Sequence, residues 1–168
     1  AQVNTQGLSV KAEQGADKND YGAQAKSGAG ASNVGVAGAL GLNVVASNTQ
    51  ALLEGDTNSS GQGAQVNAGA GNVEIVAGSQ SESLVKAGAQ VTGTGDSAQV
   101  GVGASVGVNV GVNTTRAEVA DKVLLQGGAD MTLNATAEHK METEVEGGAG
   151  GAKVAVTPVA AVSVGINT

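Results

Sequence analysis

The stretch QVGVGASVGVNVGVNTT, residues 99–115, decides the fold because its side chains alternate strictly in size. One side of it carries only Val and Ala: Val100, Val102, Ala104, Val106, Val108, Val110 and Val112. The other side is almost bare, with Gly101, Gly103, Ser105, Gly107, Asn109, Gly111 and Asn113. A period of two is typical of a β-strand with one buried face. The stretch has no charge and no aromatic ring, so we expect it to be scaffold and to perform no chemistry.

The composition indicates an all-β protein with a thin core. The 168 residues include no Phe, no Trp and one Tyr, whereas Val is abundant and favours strands. Aromatic side chains supply much of the bulk of an ordinary core, so small residues have to fill this one. Thin cores are typical of repeat architectures, in which each unit buries its surface against its neighbours.

Charge and cysteine content exclude several classes of function. The formal net charge is −7 and the basic residues are scattered, so we expect no nucleic-acid partner. The absence of cysteine excludes disulfides and thiolate metal sites. The apolar tracts are too short to span a bilayer, so we expect no membrane insertion. The chain begins with Ala and no signal peptide is visible, so we expect a fragment of a larger protein.

The chain repeats itself with a unit of about 58–66 residues. Residues 34–56 align with residues 100–121, which matches Asn43 to Asn109 and Thr49 to Thr115. A third copy, VTPVAAVSVGINT (156–168), matches Asn167 to Asn109 at an offset of 58. These five residues are the predicted structural positions of the repeat. The predicted units are 1–63, 64–128 and a partial unit 129–168, within one continuous repetitive domain.

A second strand signature precedes each of these segments. Its copies are GLSVKAEQ (7–14), NVEIVAGSQ (72–80) and DMTLNATAE (130–138). The polar segment AEHKMETEVE (137–146) also alternates, so its charged residues at 138, 140, 142, 144 and 146 predict a solvated strand face. We expect no helix.

The predicted fold is a repetitive β-solenoid, in which a unit divides into about three rungs of roughly 20 residues. The matching Asn residues would then form a ladder at a bend, where Asn tolerates the left-handed conformation. The alternative is a stack of long antiparallel strands, which the unbroken alternation favours. In that arrangement the small-residue face would let two sheets approach closely.

No motif predicts an enzyme or a cofactor. His139 stands alone among glutamates, which is typical of a surface residue and does not indicate a metal ligand. The acidic turns Glu54-Gly55-Asp56, Gly95-Asp96-Ser97 and Asp17 with Asp20 have oxygen ligands for Ca²⁺, but solvated turns are the simpler interpretation. The Gly-rich segments 147–153 and 101–107 lack the residues of a phosphate loop and of a dinucleotide fingerprint.

The pattern G-x-G-A-S-V-x-V-N-V-x-x-N-T-T-x-A over residues 101–117 resembles repeats of large Gram-negative surface proteins. These are the filamentous-haemagglutinin-like or leukotoxin-like adhesins, and the resemblance extends over most of the chain through its copies. It implies export, a long fibrous stalk on the bacterial cell surface, and roles in adhesion or biofilm. It brings no catalytic residue.

We therefore expect a structural repeat segment of an extracellular adhesin or fibre that provides a stiff stalk. Its partners would be neighbouring repeats or copies of itself end to end, and a host or neighbouring-cell surface. One alternative is a self-assembling filament subunit. Another is a carbohydrate- or surface-binding β module that uses the flat small-residue face.

Overall fold

A computed structural model describes residues 2–15, 17–31, 33–55, 63–93 and 100–168. Within these ranges the chain is all β and contains no helix. The strands are β1 (Gln2–Asn4), β2 (Leu8–Glu13), β3 (Asn19–Ala31), β4 (Val34–Leu53), β5 (Ala64–Asn67), β6 (Val73–Gly93), β7 (Val100–Val119), β8 (Val123–Gln126), β9 (Met131–Gly150), β10 (Val154–Val156) and β11 (Val159–Asn167).

The strands form three open sheets in which every described pair is parallel. The short sheet contains β1, β5 and β8. The charged sheet contains β6 between β9 and the collinear β2 and β3, and the valine sheet contains β7 between β4 and the collinear β10 and β11. Each pass of the chain thus adds one level to all three sheets. We call these levels the first layer (β1–β4), the second layer (β5–β7) and the third layer (β8–β11).

The parallel pairing shows that the antiparallel alternative was wrong, although the long strands it assumed are present. The division of a unit into rungs of roughly 20 residues was also wrong. A whole unit makes one layer, because β6 and β7 run without a turn for 21 and 20 residues. Neither strand contains a turn, so the chain has no place to bend within one.

The register of the third layer differs from the sequence alignment. Asn167 lies opposite Asn113, and Ser163 takes the place opposite Asn109. Met131 lies opposite Val73, an offset of 58, whereas Val154 lies opposite Val100, an offset of 54, so the third layer has four fewer residues between these two sheets than the second layer has. In addition, β8 pairs with β5, which places Val123–Gln126 in the third layer, whereas the alignment divided the units after residue 128.

The charged and valine sheets pack face to face, and the small-residue face of β7 is the buried one. Ser105 and Asn109 are fully buried, whereas Val106 and Val112 of the same strand are exposed. The sheets interlock because a large side chain of the charged sheet, on β6 or β9, meets a glycine of the valine sheet opposite. A Cβ on Gly41 would lie 2.9 Å from Cγ1 of Val85, and a Cβ on Gly107 would lie 2.7 Å from Cγ2 of Val145.

The space between the sheets has three zones along the strands. At the end near the short sheet it is aliphatic, with Val73 and Ile75 packed against Ala51 and Leu53. The middle zone is polar. At the far end it contains small apolar residues, namely Ala37, Ala89 and Val91. The larger aliphatic cluster therefore lies at the end near the short sheet.

Proline and glycine lie where the parallel ladder permits them. Pro158 separates β10 from β11 on an outer strand of the valine sheet, where its missing N–H interrupts no second ladder. Its carbonyl oxygen still accepts a 3.0 Å hydrogen bond from the amide of Ser105. Gly127 turns the chain between β8 and β9 with a φ of 74°, and a Cβ there would lie 2.7 Å from the carbonyl oxygen of Gly69 one layer below.

Candidate functional site

The five predicted repeat positions all lie in the valine sheet, and four of them form two matched pairs. Asn43 lies opposite Asn109, and Thr49 opposite Thr115. These residues lie inside strands and not at a bend, so the predicted left-handed Asn ladder is not formed. Asn167 belongs to a separate pair with Asn113, whose Nδ2 donates a 3.0 Å hydrogen bond to Asn167 Oδ1.

A hydrogen-bonded network fills the polar middle zone around Asn109. Asn43 Nδ2 donates to Ser83 Oγ at 2.7 Å, and Ser83 Oγ donates to Asn109 Oδ1 at 2.6 Å. Asn109 Nδ2 then donates to the carbonyl oxygens of Ser83 at 3.1 Å and Glu142 at 3.2 Å. One buried amide therefore joins all three layers and both large sheets.

His139 is half-buried and its ring points toward the interior of the sheet pair, so the surface position expected for it holds only in part. Its Nδ1 shares a 2.7 Å hydrogen bond with Ser81 Oγ, and its Nε2 lies 3.3 Å from Ser79 Oγ. Ser79 Oγ also shares a 2.6 Å hydrogen bond with Thr115 Oγ1. Burial lowers the pKa of His139 below its ordinary value of 6.5. Because both ring nitrogens contact serine hydroxyls and no carboxylate orients the ring, this cluster resembles a structural link more than a catalytic triad.

The outward side of the charged sheet carries ion pairs that join the layers. Lys86 Nζ lies 2.5 Å from Glu144, and Lys11 Nζ lies 2.8 Å from Glu74. Glu82 pairs with Lys18 of the first layer and, at 3.0 Å, with Lys140 of the third. Hydrogen bonds from these two lysines lower the pKa of Glu82 below its ordinary value. The predicted solvated face of residues 137–146 is confirmed, since its charged residues are exposed.

The described surface has depressions but no site with converging catalytic or metal-ligating groups. One shallow depression of about 460 Å³ crosses the charged sheet between Lys26 and Glu146, where Gly88 and Gly148 have no side chains. No three His, Asp or Glu side chains among the described residues converge as a metal site requires. Of the predicted acidic turns, Asp56 and residues 95–97 lie outside the described residues.

The outward side of the valine sheet is the feature that sequence reasoning missed. It is apolar at each of seven successive positions in all three layers. From one end to the other these are Val34–Val100–Val154, Val36–Val102–Val156, Gly38–Ala104–Pro158, Leu40–Val106–Ala160, Leu42–Val108–Val162, Val44–Val110–Val164 and Ala46–Val112–Ile166. We call this surface the valine face. The available signal was the alternation itself, which distinguishes the two sides of the strand but does not say which one is covered. The close approach of two sheets through the small-residue face, expected for the antiparallel alternative, is found here between parallel sheets.

No protein-family model, no curated protein and no solved structure matches this chain. Within the described ranges there is no helix with the length and apolar character needed to cross a membrane.

Proposed function

We propose that this chain is a structural segment of an extracellular bacterial adhesin or fibre, in which the repeats stack as a β-solenoid and provide a stiff stalk. The observation that carries the proposal is the parallel, in-register stacking of each long strand on its equivalent in the next layer. A unit that stacks in this way can be repeated along one axis without limit.

Contacts between layers explain why such a stack would be stiff. The backbone ladder of β6 with β9 extends over twenty consecutive residues, and that of β4 with β7 over the same length. The interior hydrogen bonds of Asn109 and His139 and the outward ion pairs of Glu82 add side-chain links at the same joints. Bending the stack would have to open one side of these ladders.

The resemblance of residues 101–117 to repeats of large Gram-negative adhesins supports the cell-surface location. The small-residue face lies between the sheets, so it is closed to the carbohydrate or surface ligand considered above. A stalk acts through its length and stiffness, so it needs no ligand site of its own.

Joining copies of the chain in tandem tests this proposal. Thr168 follows Asn167 as Thr114 follows Asn113, so a copy of residues 115–122 supplies the natural path to the β1 of the next copy. Each added copy contributes three strand spacings of about 4.8 Å, or about 14 Å in total. Negative-stain electron microscopy of proteins with two, four and eight copies is expected to show one dimension growing by this amount per copy.

The control is the same tandem series joined by flexible Gly/Ser linkers too short to let one copy stack on the next in register. That series is expected to show separate particles whose spacing varies from molecule to molecule. Separate particles in the first series as well would contradict the stalk proposal.

A second candidate, the self-assembling filament subunit, is favoured by the geometry at the two ends of the stack. The outer strands β3 and β4 lie at one end and β9 to β11 at the other, and each presents backbone groups along its outer side. Filaments of constant width that lengthen with protein concentration, in the absence of tandem joining, would make this the better description. Discrete particles at every concentration would exclude it.

A further inference from the structure

The valine face is a large apolar surface that the fold leaves in solvent. Leu40 is 65% exposed, Val44 is 66% exposed and Val36 is 67% exposed. The residues at the seven positions of each layer include no charged side chain and no side chain that forms hydrogen bonds. Monomeric proteins rarely expose a contiguous apolar patch of this extent, so such a patch marks an interaction site.

The outward side of the charged sheet shows that this exposure is specific to one face. Both sheets have the same three layers and similar strand lengths, and both pack against the same interior. The charged sheet covers its outward side with Lys11, Lys18, Glu82, Lys86 and Glu144. On the outward side of the described strands of the valine sheet, an ion pair lies at one end, where Arg116 pairs with Glu118. The difference is expected if one side faces water and the other faces a protein.

The dimensions of the valine face fit an interface with the valine face of a second copy of this chain. Residues 34–46 span about 43 Å at about 3.3 Å per residue, and three strands span about 14 Å, so the face covers roughly 600 Å². Two such faces in contact would bury about 1,200 Å², which is the lower limit of a specific interface. Flat sheet faces with aliphatic side chains pack on each other at a separation of about 10 Å.

The chemistry of the face disfavours a lipid or a sugar as the occupant. Surfaces that lie on a bilayer combine apolar side chains with a basic rim and interfacial aromatic residues. The valine face has no aromatic residue, and the chain is acidic with a net charge of −7. Two copies of an uncharged face bring no charge into contact, and a two-fold axis would bring the same face of both copies together.

We propose that the valine face docks against the valine face of a second copy of this chain, so that two stacks pair side by side. This lateral pairing is separate from the axial stacking of the stalk, because it uses an outward sheet face and not the strand edges. A pair would present charged sheets on both outer sides and bury the aliphatic residues between them. The proposed fibre would then have a double width.

Sedimentation equilibrium of the chain tests the pairing, since the monomer mass is 16.0 kDa. We expect twice that mass at micromolar concentration. Val108→Lys places an ammonium group next to the centre of the interface in both copies, and we expect it to weaken pairing at least 100-fold, or about 2.7 kcal/mol. The matched control is Leu84→Lys, which makes a similar change on the central strand of the charged sheet, beside Glu142. We expect the control to pair like the parent chain.

Two further measurements keep the proposal testable if Val108→Lys does not fold. Leu42→Lys alters the adjacent residue of the first layer, which is 57% exposed and tolerates a charge in the monomer. Because the chain has no cysteine, Val108→Cys and Leu84→Cys each introduce a single thiol. We expect oxidation to cross-link the first variant and not the second.

Several results would overturn the pairing. One is a parent chain that sediments as a monomer at millimolar concentration. Another is association that Val108→Lys and Leu42→Lys leave unchanged, which would assign it to the strand edges. A third is flotation of monomer with neutral phosphatidylcholine vesicles, which would make a lipid surface the occupant. If the parent chain does not pair while the tandem proteins still lengthen by about 14 Å per copy, this inference is rejected and the stalk proposal is left intact.

Discussion

At the scale of single residues, glycine sets the distance between the two large sheets. A Cβ on Gly103 would overlap the carbonyl oxygen of Gly148 and lie 3.2 Å from that of Ala89, both of which belong to backbone in the facing sheet. Backbone in a parallel ladder cannot move without breaking hydrogen bonds. The small side chains of β7 are therefore a requirement of close sheet packing.

The first prediction compares two Gly→Ala substitutions on central strands. Gly103→Ala is expected to lower the free energy of unfolding by about 2–3 kcal/mol because it overpacks the interior. Gly88→Ala faces outward with no atom within 4 Å, so it is expected to be neutral or to stabilise by less than about 1 kcal/mol. Urea denaturation of both variants measures the difference. Equal effects would contradict the buried position of the small-residue face.

The second prediction concerns the amide of Asn109. Asn109→Ala removes the amide that donates to the carbonyl oxygens of Ser83 and Glu142, and these carbonyl oxygens lose that hydrogen bond inside the sheet pair. We expect a loss of about 2 kcal/mol in the free energy of unfolding. The control Asn48→Ala alters an exposed residue of β4, and a change below about 0.5 kcal/mol is expected there. A loss at Asn109 no larger than at Asn48 would show that the polar zone contributes nothing to stability.

At the scale of elements, strands keep their register while the turns between them vary in length. Between Glu13 and Asn19 the first layer has more residues than the second has between Gly78 and Ser81. The third layer likewise has fewer residues after β9 than the second has after β6. Insertions in turns leave the ladder unchanged, whereas an insertion inside a strand turns every following side chain to the other face.

The third prediction tests this difference by insertion in the third layer. Four residues added after Gly151 lengthen a turn, and the free energy of unfolding is expected to change by less than about 1 kcal/mol. One residue added after Ala137 would turn Glu138 and Lys140 toward the interior, and a loss of at least about 3 kcal/mol is expected. Circular dichroism during urea titration measures both. Tolerance of the second insertion would mean that the alternation of β9 does not determine its register.

At the scale of the whole molecule, titrating groups on two sides of the charged sheet limit the pH range of stability. The pKa of His139 is lowered by burial, so its unfolded form binds a proton more readily and stability falls as the pH drops below about 6.5. The lowered pKa of Glu82 adds a second loss below about 4.5, where its ion pairs with Lys18 and Lys140 are removed. The pKa of Lys140 is raised, chiefly by its hydrogen bond to Glu82, so that contribution is lost at pH above about 10.5.

The fourth prediction is therefore a melting temperature that is highest between about pH 6.5 and pH 10.5 and falls on both sides. His139→Asn removes the titrating ring and is expected to abolish the step that begins near pH 6.5. Glu82→Gln is expected to abolish the step below pH 4.5 and to leave the histidine step in place. Differential scanning calorimetry across the pH range measures all three proteins. A parent profile without a step near pH 6.5 would place His139 in water.

The sequence by itself determined the all-β class, the absence of helix from the described residues and the solvated face of residues 137–146. These follow from side-chain alternation and composition, which are local properties of a strand. The alternation also showed that the two sides of residues 100–112 differ. It could not show which side is buried, because that depends on the sheet that packs against it.

Only the tertiary structure decided that the glycine side is the interior and the valine side faces outward. The facing backbone leaves no room for larger residues at Gly103, and the interior serines offer partners for Asn109. It also decided the register of Asn167, since Asn109 and Asn113 stand four residues apart in similar surroundings and sequence similarity fits either one. The number of residues between β9 and β10 makes Asn113 the partner of Asn167. That number is fixed by where the two strands lie in the structure.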